Sequence, residues 1–192
     1  LGLKRQNTVY DFKIFVAKQN QKKLIGVLQR SHFIFILSIS FFSCREVSGT
    51  KKDIKLSKKL QPIVDSLMVF NVVHDDAIGY SGDESNVYLN FKKLMTLASD
   101  DELISLTDHD SASVRAYSFW ALAKRKNIVV KNILDQHLND SAKFFFMSGC
   151  TVGQEKINEF YLNLLTPDYL DISCIKLTPK EVEIKKIKLN FK

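Results

Sequence analysis

Two short runs of histidine and aspartate carry the side chains best suited to metal chemistry. His74-Asp75-Asp76 and His109-Asp110 each combine an imidazole with carboxylates, which are ligand types found in hydrolytic metal sites. A catalytic metal also needs further ligands and the outer partners that orient them. The sequence supplies neither at a recognisable spacing, so we expect no metal and no other cofactor. A metal-dependent hydrolase that uses His74, Asp75 and Asp76 is the alternative.

Nucleophilic chemistry has weaker support in the sequence. Cys150 and His137 have the types of a nucleophile and its base, but no third residue is placed to orient the imidazole. The glycine-containing stretch at residues 79–82 lacks the lysine of a phosphate-binding loop and follows no predicted strand. Cys150 and Cys174 fit two buried thiols, with a disulfide between them as the alternative. We therefore expect a protein that is not an enzyme.

The residues that follow Asp108 indicate a structural role instead. Oxygen atoms that can accept hydrogen bonds from the first N–H groups of a helix are carried by Asp108, Asp110, Ser111 and Ser113. Val114 then begins an apolar helical face that Trp120 widens. The stretch 103–125 thus predicts a short helix, a polar turn and a longer helix. Because such a hairpin cannot bury its apolar surface alone, neighbouring helices must pack on it.

Arg115 follows Val114 and points away from the most deeply buried side of the predicted helix. From there its guanidinium can reach Asp108, Asp110 or an acidic residue of a neighbouring hairpin. An aspartate-bearing turn, then Val-Arg, then a helix of small residues resembles a HEAT repeat of the short kind found in phycobilisome-lyase-like proteins. Asp140 follows Asp108 after 32 residues and marks a second, degenerate repeat. The resemblance implies an all-α fold of stacked antiparallel helical hairpins, a short α-solenoid.

The charge distribution argues against nucleic-acid binding. The chain has 28 Lys and Arg residues against 21 Asp and Glu, a net charge of +7. Residues 1–44 hold seven of the basic residues and one acidic residue, whereas residues 45–192 hold 21 and 20. The excess positive charge therefore belongs to the N-terminal segment and not to the predicted domain.

A basic flank and an apolar run precede Cys44. Lys22, Lys23 and Arg30 lead into residues 33–42, which are mostly Phe, Ile and Leu, and Ser43 precedes the cysteine. At about 1.5 Å per residue this run is too short to span a bilayer, but its layout is that of a secretory signal. The Ser-Cys end resembles a bacterial lipoprotein signal, which implies a lipid on Cys44 and a location at the cell envelope. The alternative is a cytosolic helical adaptor in which this run is core.

These features divide the chain into four parts. Residues 1–21 stay unassigned, residues 22–44 form the signal, residues 45–60 form a flexible tether, and residues 61–192 form the helical domain. Within that domain we predict helices in the second repeat, over Lys143–Cys150, and from Thr151 onward. At residues 178–191 a capping box, Thr178 with Glu181, favours a helix over the strand that the apolar alternation also allows.

We expect this protein to be a non-catalytic scaffold. Helical stacks offer one extended face to a protein or peptide, so an unidentified protein or peptide partner is expected there. The lipid on Cys44 would hold the scaffold at the membrane. The envelope hydrolase and the cytosolic adaptor are the competing hypotheses, since fold alone does not fix function.

Overall fold

A computed structural model describes residues 56–189. The unassigned extension, the predicted signal peptide, Cys44 and most of the predicted tether lie outside the described residues. The end of the tether, residues 56–60, lies against the fold: Leu60 is fully buried, and the Ser57 N–H donates to Glu102 Oε1 at 3.0 Å. Among the described helices, none is both long and apolar enough to cross a membrane.

Helices and strands both contribute to the described part of the chain. The helices are α1 (Gln61–Met68), α2 (Asn86–Leu97), α3 (Asp100–Leu106), α4 (Ala112–Lys124), α5 (Val130–Gln136), α6 (Ile157–Leu165) and α7 (Pro179–Lys188). The strands are β1 (Val72–Ile78), β2 (Lys143–Gly149) and β3 (Thr151–Lys156). The fold is therefore mixed α/β, and the prediction of an all-α solenoid of helical hairpins is wrong.

Helix α4 lies at the centre of the fold. Every residue from Ala112 to Ala123 is buried, as expected of a helix that is apolar on nearly all sides. Helices α1, α2, α3 and α6 and the sheet all pack against it. Val114 is fully buried and Trp120 is 3% exposed. The helix–turn–helix expected around Asp108 is thus present as α3 and α4, but its neighbours include a sheet.

The three strands form one sheet in the order β1-β2-β3. Strand β2 pairs in parallel with β1 and antiparallel with β3. Residues 143–156, predicted to be helical, form β2, the turn and β3, and the side chains from Phe144 to Phe146 alternate between two environments. Phe144 and Phe146 contact Phe160 on the helix side, whereas Phe145 is 39% exposed. A short apolar run fits a strand and a buried helix equally well, and here the alternation decides.

The turn between β2 and β3 is a two-residue loop made by Gly149 and Cys150. Ser148 pairs with Thr151 across it, and Gly149 has a φ of +51°. Two-residue hairpin loops require positive φ, which glycine adopts without steric cost. This glycine ends β2 and lets β3 return along it.

Strand β1 lies within residues 61–192, which were predicted to form a helical domain. Asn71, with a φ of +46°, stops the preceding chain from continuing as a helix. Val72 and Val73 are β-branched and favour extended backbone. The parallel partner of β1 lies beyond α2, α3, α4 and α5, and a parallel pair needs such a long crossover connection.

Helix termini agree with the sequence at several positions. Ser85 caps α2 by accepting from Tyr88 N, and both capping boxes, Ser99 with Glu102 and Thr178 with Glu181, are formed. The helix over residues 179–188 agrees with the helix that the sequence favoured.

The start of α4 departs from the predicted capping. Ser111 occupies the N-cap position, but its side chain makes no cap hydrogen bond. The Ser113 N–H is bound instead by Asn71 Oδ1 at 3.2 Å, from the turn between α1 and β1. A residue distant in sequence therefore satisfies a donor that the sequence assigned to a local partner.

Candidate functional site

The two turn aspartates, Asp108 and Asp140, are bridged by one histidine. His137 Nε2 lies 3.3 Å from Asp108 Oδ1, and His137 Nδ1 lies 3.2 Å from Asp140 Oδ2. His137 follows the C-terminus of α5, Asp108 follows α3, and Asp140 precedes β2. The imidazole therefore joins two turns, the one after α3 and the one after α5, and we refer to Asp108, Arg115, His137 and Asp140 as the inter-turn cluster.

Arg115 completes the inter-turn cluster from helix α4. Its Nη1 donates to the backbone oxygens of His109 at 2.6 Å and Asp110 at 3.1 Å. Its Nη2 donates to Asp140 Oδ1 at 3.2 Å, and its Nε lies 3.0 Å from Asp140 Oδ2 as an ion pair, off the line that a hydrogen bond requires. Asp140, which marks the second predicted repeat, forms an ion pair with Arg115. Asp110 contributes its carbonyl to this contact.

The surroundings of Asp140 in the inter-turn cluster favour the ionised form of its carboxyl group. Burial alone raises the pKa of Asp140, but hydrogen bonding from His137, the nearby Arg115 charge and the Ala142 N–H outweigh it, so the net pKa is lowered. Below the cluster, the His137 ring meets Tyr161 edge-on, with centroids 5.6 Å apart. The Tyr161 hydroxyl donates to the Arg115 carbonyl at 3.0 Å. Burial raises the pKa of Tyr161 well above the usual value of a tyrosine.

The contacts of the inter-turn cluster are those of a structural tie. Asp140 accepts from Arg115 and from the Ala142 N–H at 3.1 Å, and each His137 ring nitrogen faces a carboxylate. Neither nitrogen is directed toward a nucleophile. Cys150 is exposed at the hairpin turn, so the considered pairing of Cys150 with His137 gains no support from this arrangement. Cys174 is buried, and both thiols are free.

His74, Asp75 and Asp76 do not converge on one point. His74 Nδ1 lies 2.8 Å from Ser85 Oγ, and the backbone N–H of His74 donates to the Tyr117 hydroxyl at 2.7 Å. Asp75 Oδ2 accepts from Ser148 Oγ at 2.8 Å, and Asp76 is exposed. Burial lowers the pKa of His74, and its Nε2 is buried without a hydrogen-bond partner among the described residues.

No group of three His, Cys, Asp or Glu side chains within residues 56–189 is arranged to hold a metal ion. His74, Asp75 and Asp76 lie on a strand, and successive side chains on a strand point to opposite faces. The side chains of His74 and Asp75 contact different partners, Ser85 and Ser148.

Trp120 anchors the loop between α6 and α7. Its Nε1 donates to Asp171 Oδ2 at 2.8 Å, and Lys124 Nζ pairs with the same oxygen at 2.5 Å. The ring stacks on Phe91 with centroids 5.0 Å apart. Three tyrosines differ in exposure: Tyr117 is fully buried, Tyr88 is 7% exposed and Tyr80 is completely exposed. Trp120 is thus part of the core and offers no ligand-facing surface.

The sheet presents an exposed apolar face that the sequence did not reveal. Phe145 pairs with Gln154 and Met147 pairs with Val152, so these four side chains share the side of the sheet away from Phe160. Phe145 is 39% exposed and Val152 is 46% exposed. We call Phe145, Met147, Val152 and Gln154 the open sheet face.

Further exposed apolar side chains lie in the turn beside β2, and within residues 56–189 no strand pairs with the outer edge of β3. The Phe145 N–H donates to the Asn71 carbonyl at 3.0 Å, which brings the α1–β1 turn beside β2. In that turn Val69 is 65% exposed and Phe70 is 60% exposed. Strand β3 ends the sheet, and its residues 151–154 are exposed. Residues 144–147 are four consecutive apolar residues, so no alternation in the sequence marked this surface.

Comparison of the chain with protein-family models and with curated proteins found no match to either. The resemblance of the α3–α4 hairpin to a HEAT repeat therefore stays a prediction that no relative tests.

Proposed function

We propose that this protein is a non-catalytic protein-binding domain that is held at a bacterial cell envelope by a lipid on Cys44. The observation that carries the binding proposal is the open sheet face. Exposed apolar side chains that cluster on one surface are typical of protein interaction sites. Phe145 and Val152 meet that description, and Val69 and Phe70 are also exposed, in the turn beside β2.

Two further features support binding through the sheet. Strand β3 has an outer edge to which a strand of a partner can add, with main-chain hydrogen bonds supplying affinity. The side chains that one would otherwise suspect of chemistry are used in structural contacts: Arg115 and His137 tie turns together, and Trp120 holds Asp171. The α3–α4 hairpin therefore supplies the core, and the binding surface lies on the sheet.

The binding proposal is tested by site-specific photo-crosslinking. A photoreactive amino acid replaces Phe145 in the full-length chain, and a second version carries it at Tyr80, which is completely exposed but outside the open sheet face. Irradiation of cells is expected to give a discrete protein adduct from position 145 and none of the same mass from position 80. Val152→Asp should reduce the adduct from position 145, whereas Ile172→Asp should not. Equal adducts from both positions, or indifference to Val152→Asp, would reject the binding proposal.

The membrane anchor is tested separately. Cells that express the full-length chain are grown with a labelled fatty acid, and the purified protein is compared with the Cys44→Ala variant. Label that depends on Cys44 is expected. Label that is absent from both proteins would remove the lipoprotein proposal and favour the cytosolic adaptor.

A further inference from the structure

Helix α7 has one buried side and one outward side of mixed character. Val182 is 6% exposed and belongs to the core. At about 100° per residue, Lys180, Ile184, Ile187 and Lys188 fall within one arc on the side of α7 opposite Val182. We call these four residues the α7 outer face.

The two isoleucines of the α7 outer face are among the exposed apolar side chains of the described residues. Ile184 is 45% exposed and Ile187 is 66% exposed, and their spacing of three places them side by side on the helix surface. Lys180 and Lys188 are also exposed and make no ion pair within the part of the chain that the structure describes. The face is therefore an apolar pair bounded by one free lysine at each end.

Contacts on the other sides of α7 fix which side faces outward. Lys131 Nζ pairs with Glu181 Oε1 at 2.8 Å, and Lys185 pairs with Asp135, so two ion pairs attach α7 to α5. The Thr178–Glu181 capping box sets the start of the helix. Rotation of α7 to bury the isoleucines would break these contacts and expose Val182.

The charge that remains on α7 is positive. After the two ion pairs are formed, the exposed charged residues of the helix are Lys180, Lys186 and Lys188 against Glu183. Lysines can extend their ammonium groups to lipid phosphates while apolar neighbours enter the acyl boundary. We propose that the α7 outer face docks on an anionic lipid surface.

The size of the face favours a lipid over a protein partner. A stable protein–protein interface buries about 800 Å² on each partner with complementary shape, and two isoleucine side chains are far from supplying that. A bilayer boundary accepts individual apolar side chains without a fixed complementary shape. This contact does not depend on acylation of Cys44, although the two would act together on an anchored protein.

The test uses the full-length chain with Cys44→Ala, so that no lipid is attached. Co-sedimentation is measured with phosphatidylcholine vesicles that contain or lack phosphatidylglycerol. We expect binding that requires phosphatidylglycerol and weakens with salt. Ile184→Ser with Ile187→Ser should lower the vesicle affinity at least about tenfold, and Lys180→Gln with Lys188→Gln should lower it about fivefold for each lysine.

A matched control uses an isoleucine and a lysine outside the α7 outer face. Ile172 is 80% exposed and Lys58 is exposed, and Ile172→Ser with Lys58→Gln should leave vesicle affinity unchanged. The apolar run at residues 33–42 is the same in every variant, so differences report α7 alone. Urea unfolding checks that each variant is folded.

Two results would overturn the proposal. Equal vesicle affinity of the α7 variants and the control would show that α7 makes no lipid contact. Self-association in the absence of vesicles that Ile184→Ser with Ile187→Ser abolishes, measured by sedimentation velocity, would assign the face to a second copy of the chain. Neither result bears on the crosslink from Phe145, so the failure of this inference and that of the sheet-binding proposal are distinguishable.

Discussion

Arg115 and Asp140 form a two-contact ion pair that ties the turn after α3 to the turn after α5. The guanidinium also closes the α3–α4 turn, through the His109 and Asp110 carbonyls. The side chains are only 10% and 18% exposed. The net attraction of a pair so poorly solvated is small, because both charges lose contact with water. Removing one partner is nevertheless strongly destabilising, because the other charge is then buried without a counter-charge.

Asp140→Asn should therefore lower the free energy of unfolding by about 2–3 kcal/mol. The substitution keeps the size of the side chain but removes the charge that faces Arg115 and His137. The matched control is Glu84→Gln, because Glu84 forms an ion pair with Lys92 that is more than 40% exposed on both sides. That control should change stability by less than about 0.5 kcal/mol. Urea unfolding of both variants gives the comparison, and similar losses would show that the inter-turn cluster is no structural tie.

The lowered pKa of Asp171 predicts that the protein loses stability in acid. Burial raises its pKa, but hydrogen bonds from Lys124, Ser173 and Trp120 outweigh burial and bring the pKa well below its ordinary value of 3.8. The folded state thus binds this proton more weakly than the unfolded state. Its stabilising contribution is complete above the unfolded pKa and declines as the pH falls below it toward the folded pKa.

The measurement for Asp171 is urea unfolding at several pH values between about 6 and about 3. Asp171→Asn should be less stable than the natural chain near neutral pH and should lose less of its stability on acidification. Asp65, an exposed carboxyl on α1, offers a control, and Asp65→Asn should leave the pH profile unchanged. If the free energy of unfolding depends on pH in the same way for the natural chain and for Asp171→Asn, the pKa of Asp171 is not lowered by folding.

The alternation along β2 predicts unequal roles for two adjacent phenylalanines. Phe144 is 1% exposed and packs edge-on against Phe160, whereas Phe145 is 39% exposed on the open sheet face. Phe144→Ala should lower the free energy of unfolding by about 3–5 kcal/mol through lost burial and a cavity. Phe145→Ala should cost less than about 1.5 kcal/mol because most of its cost is lost contact at the surface. Equal losses in urea unfolding would place this segment in another conformation.

Local signals were sufficient for the helices and insufficient for the sheet. Ser99 and Glu102 mark the start of α3 through a capping box that acts within four residues, and the helices on either side of Asp108 follow from the apolar spacing. Strand β1 pairs with β2 across four intervening helices. No periodicity in Val72–Ile78 or Lys143–Gly149 carries that information, so an all-helical arrangement fitted the same pattern.

The candidate sites divide in the same way. Asp108 and Asp140 were recognised as recurring residues, but the His137 bridge depends on where α5 places its C-terminus. The open sheet face was missed because a helix over Lys143–Cys150 would spread Phe144, Phe145 and Phe146 around its circumference, whereas a strand separates them onto two opposite faces. Both errors come from tertiary pairing that overrides a local pattern.

Asn71 offers a test of that long-range pairing. Its Oδ1 accepts from the Ser113 N–H at 3.2 Å, and its Nδ2 donates to the Lys143 carbonyl at 2.8 Å. One side chain thus caps α4 and holds the start of β2, with its own backbone at a φ of +46°. Asn71→Ala removes both hydrogen bonds and leaves a residue poorly suited to positive φ, so it should cost about 2–4 kcal/mol.

Two companion variants separate the contributions of Asn71. Asn71→Gly also loses both hydrogen bonds but tolerates positive φ, so it should be about 1 kcal/mol more stable than Asn71→Ala. Asn71→Asp keeps an acceptor for the Ser113 N–H but faces the Lys143 carbonyl without a donor, so it should also be less stable than the natural chain. The free energy of unfolding in urea ranks the set. If all three variants match the natural chain to within about 0.5 kcal/mol, Asn71 does not couple α4 to the sheet, and the register of β2 must be fixed by Phe144 and its neighbours alone.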